Sequence, residues 1–144
     1  MTNKYYELKQ RQQKEVDDFP MMFAFSNSQF DEGMKKLGFE PTEIDKIYSI
    51  GAGGYIRKTD SMAFNSMFDK FDEEMKKAIE EDPTGENFIY EMFLYELNNH
   101  EYGYTYELDD TLQALDLTRE KINKDERLVN GLSKAIKEIK EYDN

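Results

Sequence analysis

AIEEDPTGENFIYEMFLYELNNHEYGYTYELDDTLQALDL, residues 78–117, holds eleven carboxylates and no lysine or arginine. Its middle reads as a helix, because Phe88, Ile89, Met92, Phe93 and Leu97 recur at the spacing that puts apolar side chains on one face. Asp82-Pro83-Thr84-Gly85 breaks the chain ahead of that helix, and Asn98-Asn99 ends it. Beyond it, Tyr102, Tyr104, Tyr106 and Leu108 alternate with Gly103, Thr105 and Glu107. A period of two is the signature of a strand. Asp109 or Asp110 is placed to cap a short helix to Leu115, and Thr118 to cap another.

Upstream, Tyr5, Leu8, Gln12 and Val16 share a helical face, and Pro20 forces Phe19 out of the helical region. Met21-Met22-Phe23-Ala24-Phe25 is the densest apolar run, either a buried strand or an extended core-filling segment. Ser26 and Gln29 have capping-box spacing, Phe30, Met34 and Leu37 form a stripe, and Gly38 supplies a stop. Pro41-Thr42-Glu43 opens a turn or short helix. Two β-prone runs, 46–50 and 55–58, flank Gly51-Ala52-Gly53-Gly54 and predict a hairpin. Asp60 or Ser61 caps the clearest helix, with Phe64, Met67, Phe68, Phe71, Met75, Ala78 and Ile79 on one side. The last helix places Leu128, Val129, Leu132, Ile136 and Ile139 together. The expected fold is α+β, mainly α: one compact helical domain over 1–144 with a small β-hairpin or three-stranded antiparallel sheet.

The net charge of −12 resides almost wholly in residues 78–117, since the remainder nearly balances. That sign disfavours direct contact with DNA, RNA or anionic lipid, which use Lys and Arg to displace counter-ions. Ten Phe, ten Tyr and eight Met argue for a folded, aromatic core despite 35% charged residues. With no cysteine there are no disulfides, thiolate metal sites or cysteine nucleophile. No apolar run is long enough to span a membrane, and the N-terminal residues lack a signal-peptide core, so a cytoplasmic location is expected.

Several motifs invite chemistry. The Gly51–Gly54 loop lacks the sixth-position glycine of a dinucleotide fingerprint and the Gly-Lys-Ser/Thr of a P-loop, and reads as a turn needing positive φ. His100, the single histidine, could share a helical face with Glu96, which supplies at most two metal ligands; no metal or cofactor is expected. Asp69, Asp72 and Glu73 sit on the polar side of a helix with Lys70, Lys76 and Lys77 nearby, the pattern of a solvated face. Residues 112–122 have the cadence of a helix-turn-helix without its basic footprint. No catalytic residues are expected. The tyrosine-rich acidic stretch remains: solubility alone accounts for part of it, and a surface matched to a basic partner accounts for the missing cations. The candidate partner-binding residues are Glu86, Glu91, Glu96, Glu101, Tyr102, Tyr104 and Tyr106.

KQRQQKEVDDFPMMFAFSNSQFDEGMKKLG (9–38), DKIYSIGAGGYIRKTD (45–60), GENFIYEMFLYELNNHEYGYT (85–105) and the ending LDLTREKI…RLVNGLSKA resemble a family of small acidic proteins of unknown function. Proteins of this sort are encoded on conjugative elements and phages of gut Gram-positive bacteria. The resemblance covers nearly the whole chain and implies context but no activity: accessory genes of mobile elements often encode inhibitors of host defence. The chain is also similar in size and acidity to anti-CRISPR and antirestriction proteins, by analogy alone. The leading expectation is therefore a non-catalytic inhibitor of a basic nucleic-acid-binding protein, a nuclease or guide complex, by possible nucleic-acid mimicry. The alternative is an element-encoded adaptor or regulator binding a protein without mimicry. A small hydrolase using Glu96 and His100 comes third.

Overall fold

The computed structural model describes residues 2–142; Met1, Asp143 and Asn144, which the expected domain includes, lie outside the described residues. The fold is α+β and mainly α, with eight helices and one three-stranded antiparallel sheet among the described residues. Two compact units are distinguishable: residues 14–72, and residues 1–13 with 73–144. Helices α1 (Lys4–Asp17) and α3 (Ser61–Glu80) each contribute to both.

In the unit of residues 14–72, strand β1 (Met22–Phe23) is followed by α2 (Asn27–Lys36) and by the hairpin β2 (Ile47–Gly51) and β3 (Gly54–Arg57). The hairpin forms as its sequence predicts, with β3 central in the order β1-β3-β2. Ser26 accepts the Gln29 N–H at 3.2 Å as in a capping box, while the Gln29 side chain reaches one residue further back than the box requires and accepts the Phe25 N–H at 2.7 Å. Gly38, at φ +89°, lets Phe39 and Gly38 donate back to the Met34 and Lys35 carbonyls, a Schellman ending. Met22, Met34, Leu37 and Ile47 are the buried residues of this core. The run Met21–Phe25 differs from its expectation: only Met22 is buried, while Phe23 and Phe25 are exposed. Their rings lie instead on the hairpin glycines. A Cβ on Gly54 would come within 2.8 Å of the Phe23 ring, and one on Gly53 within 2.6 Å of the Phe25 ring. The glycine loop is thus shaped by aromatic rings laid across it as well as by positive φ at Gly51, Ala52 and Gly53.

The other unit is built around α4 (Phe88–Asn99) and α8 (Glu126–Tyr142), with α5 (Tyr102–Thr105), α6 (Asp109–Ala114) and α7 (Arg119–Asn123) between them. Ile89, Met92, Phe93 and Leu97 are buried against Tyr5, Leu112, Ile122, Leu128, Ala135 and Ile139. The spacing that predicted the acidic helix therefore describes its core face. Thr118 caps α7 as expected, accepting the Lys121 N–H at 3.1 Å. Asp109 and Asp110, by contrast, lie inside the first turn of α6 with no side-chain cap, and Val129 lies at the exposed margin of α8 while Gly131 and Ala135 face inward. On α3 only Phe71 is fully buried, so its long apolar stripe is mostly half-covered and Phe68 is exposed. Among the described residues no helix is long and apolar enough to cross a membrane.

Candidate functional site

The expected tyrosine strand is a helical turn. Glu101 (φ +57°) and Tyr106 (φ +56°) both take left-handed backbone, and Tyr106 donates its N–H to the Tyr102 carbonyl at 2.8 Å, closing α5. All three strands of the sheet come instead from residues 22–57. The turn separates the tyrosines that a strand would have aligned: Tyr102 is 7% exposed, Tyr104 90% and Tyr106 61%. Tyr106 packs edge-on against Tyr102 at 5.9 Å between ring centres, so a buried ring carries an exposed one.

The candidate carboxylates divide in the same way. Glu96 is 7% exposed, on the inward side of α4. Its carboxylate accepts the Tyr5 hydroxyl; burial first, then the Glu96 charge, holds the Tyr5 phenol well above its ordinary value. The Glu96 main-chain carbonyl accepts the Thr111 hydroxyl at 3.3 Å. Glu96 and Tyr102 are therefore buried in the core of this unit. The single histidine ends α4, its backbone N–H donating to the Glu96 carbonyl, and its Nε2 atom is buried without a partner among the described residues. Glu91 is half-buried and accepts the Lys4 backbone N–H at the start of α1, while the Glu91 carbonyl accepts the Asn3 side-chain amide at 2.9 Å. Glu86 and Glu101 are exposed.

Asp82 is the residue whose importance spacing did not show. It is buried between α3 and α4, and its two oxygens accept N–H groups from Gly85 (2.8 Å), Thr84 (3.2 Å), Asn87 (3.0 Å) and Ile89 (3.0 Å). Burial alone would push its carboxyl up. The four backbone donors outweigh that and hold it below the usual carboxylate range. The signal in the sequence was Asp-Pro-Thr-Gly-Glu-Asn immediately before an apolar helical run.

The stretch without cations draws cations from elsewhere. Arg127 donates to the Ile79 and Asp82 carbonyls at 2.9 and 2.8 Å, and Lys134 donates to the Glu86 carbonyl at 3.2 Å and lies 4.3 Å over the Tyr90 ring. Arg119 pairs with Asp109 at 3.0 Å, and Lys77 reaches Glu81 at 3.8 Å. Tyr95 is committed too, its ring packed at a tilt against those of Tyr5 and Tyr6, with centroids 5.6 and 5.3 Å away. Among the described residues, the exposed carboxylates and tyrosines of this stretch without an ion pair are Glu80, Glu86, Glu101, Tyr104, Tyr106, Glu107, Asp110 and Asp116; five of these eight lie in residues 101–110, and Tyr106 there is held by the buried Tyr102.

Beside this segment lie two adjoining hollows that share Asn98 and Gly103. One, of about 350 Å³, is lined by Leu94, Asn98, Gly103, Glu138, Ile139 and Tyr142. The second, of about 410 Å³, is bounded by Asn98, Glu101, Gly103 and Tyr104. Among the described residues no three His, Asp or Glu side chains gather as a metal site would require. No curated protein and no solved structure matches the chain. Residues 4–138 match the model of a family of unknown function, DUF7659, and the chain belongs to that family.

Proposed function

We propose that this chain is a non-catalytic acidic protein-binding module that inhibits a nucleic-acid-binding host defence protein on behalf of a mobile element, in the manner of anti-CRISPR or antirestriction proteins. The observation that carries the reading is the 101–110 segment. Five of its side chains are exposed, the tyrosines Tyr104 and Tyr106 and the carboxylates Glu101, Glu107 and Asp110, and those three carboxylates form no salt bridge among the described residues. A surface of one sign steers a basic partner, and tyrosines add contact area at low entropic cost. Exposed carboxylates there would stand where a nuclease or guide complex expects phosphates. Asp82 and Glu96, being buried, take no part, so the contact is narrower than the acidic stretch as a whole. Such a protein would act in the cytoplasm, where those partners work.

The test is a phage-plating assay in a host with a defined restriction or CRISPR system. Expression of the chain is expected to raise plating efficiency, and Glu101→Lys with Glu107→Lys and Asp110→Lys to remove that gain while the melting temperature stays within a few degrees. Binding to the purified nuclease should weaken at least tenfold as salt rises to about 0.5 M, where exposed charges are screened. Full activity in the triple variant would take the acidic surface out of the reading, and no gain in any system would end the inhibitor reading.

The adaptor reading is favoured by a different observation: Phe25 is 77% exposed and Phe23 also lies open, on the outer side of the hairpin glycines. If that face is the contact, Phe25→Ser abolishes partner binding and salt barely alters it. The inhibitor reading expects Phe25→Ser to bind as the unmodified chain does.

A further inference from the structure

The pair of hollows at the end of α4 has a chemistry that the acidic surface as a whole does not. Leu94 and Ile139 line the first hollow together with Glu138 of α8, and Glu101, just after α4, lines the second. Neither carboxylate forms an ion pair among the described residues. Lys134, one turn before Glu138, is occupied with the Tyr90 ring and the Glu86 carbonyl. Tyr142 lines the first hollow and Tyr104 the second, 89% and 90% exposed. Gly103, which has no side chain, and Asn98, which offers an amide, line both hollows.

We propose that this groove is a socket for an arginine side chain presented by the basic protein partner. The methylene stem would lie on Leu94 and Ile139, as long cationic side chains do on apolar surface. The guanidinium would reach the Glu101 and Glu138 carboxylates, which suit its planar donor fork, and the tyrosine faces would attract it through their quadrupoles. A hollow of about 350 Å³ lies at the small end of ligand sites, ~300–1,000 Å³, and fits one side chain better than a folded element. Arginine suits the hollows better than lysine, because its planar fork can donate to more than one acceptor while its weakly hydrated face lies on tyrosine and apolar surface. The assignment deepens the binding reading above and rests on it only for the identity of the protein that supplies the arginine.

The test needs no partner. Isotope-labelled protein is titrated with acetyl-arginine methylamide and, separately, with its neutral isostere acetyl-citrulline methylamide, and read by NMR. Saturable shifts are expected at the Gly103 backbone amide, the Asn98 side-chain amide and the Ile139 methyl groups, at least fivefold weaker with citrulline. Glu138→Gln and Tyr142→Ala should each weaken arginine at least threefold with the helical circular dichroism unchanged. Equal binding of citrulline, shifts spread over exposed acids such as Asp72 and Glu73, or no shift at all overturns the socket. If arginine fails here while the triple charge reversal still removes inhibition, the socket falls and the acidic surface stands. If arginine seats but no defence system is inhibited, the socket stands and the inhibitor reading falls.

Discussion

Asp82→Ala is expected to lower the urea midpoint sharply, by a loss of roughly 3–4 kcal/mol with little change in the denaturant slope. The side chain satisfies the donors that open α4, and two of them, the Gly85 and Ile89 N–H groups, are buried. Removing a helix cap from a solvated end costs about 1 kcal/mol. Here water cannot easily take the acceptor's place, and each orphaned buried donor costs ~1–3 kcal/mol. The same loop receives Arg127 at the Asp82 carbonyl and the Asn130 amide at the Thr84 carbonyl, 3.1 Å away. A loosened loop therefore frees the approach of α8 to α4 as well. Asp82→Asn separates charge from shape. The folded carboxyl sits below its ordinary value of 3.8, so its charge contributes fully above that value and is lost as pH falls through the lower folded value. The stability gap between the unmodified chain and Asp82→Asn should be level above about pH 5 and shrink below about pH 4. Asp125, lowered first by the Arg127 side chain, titrates in both proteins and drops out of the difference. A gap that stays level down to pH 2 would show that the carboxylate charge does not hold this loop.

Which parts of this were legible in the sequence follows from how far each interaction reaches. Ser26, Gly38 and Thr118 act on backbone within five residues, and the chain alone places all three. Phe88 to Leu97 needed only the spacing of one helix. The tyrosine segment failed for the opposite reason: alternation makes a strand only where a neighbouring ladder accepts it. Among the described residues no strand pairs with residues 102–108, and positive φ at Glu101 and Tyr106, neither a glycine, turns the chain into a single helical turn. Glu96 was misplaced because a glutamate at a core position is improbable until its partners are known, and Tyr5 lies 91 residues earlier in the chain. The missing cations were the hardest to read. Arg127 and Lys134 reach back 45 and 48 residues to the carbonyls of the acidic loop, and composition within a window cannot show that. Parts of two of the four segments that carry the resemblance, residues 85–93 and 127–135, lie in this loop, in α4 and in α8.

Gly85→Ala is expected to be the most damaging single methyl in the chain. Gly85 has φ +88°, where any side chain is strained by ~1–2 kcal/mol. Strain is the smaller part. A Cβ at Gly85 would overlap the Arg127 carbonyl oxygen and come within 2.6 Å of the carbonyl carbon and 2.9 Å of its Cα. These are backbone atoms of the first turn of α8, so no rotamer change relieves the overlap, and either the loop or the helix must move. Moving the loop breaks the Asp82 bonds. Moving α8 opens its contact with α4 at Gly131, whose own missing Cβ leaves 2.6 Å to the Gly85 carbonyl oxygen and to Ile89 Cγ2. Both routes give up buried hydrogen bonds or core packing, and the total loss exceeds ~4 kcal/mol, beyond the usual range for a point change. Gly38→Ala is the matched control. It carries the same positive φ, +89°, but a Cβ there meets nothing within 4 Å, so only the backbone strain remains. Thermal unfolding followed by circular dichroism should show a drop at Gly85→Ala several times that at Gly38→Ala. Equal drops would mean that the approach of the loop to α8 is loose enough to yield, and that positive φ alone sets the cost.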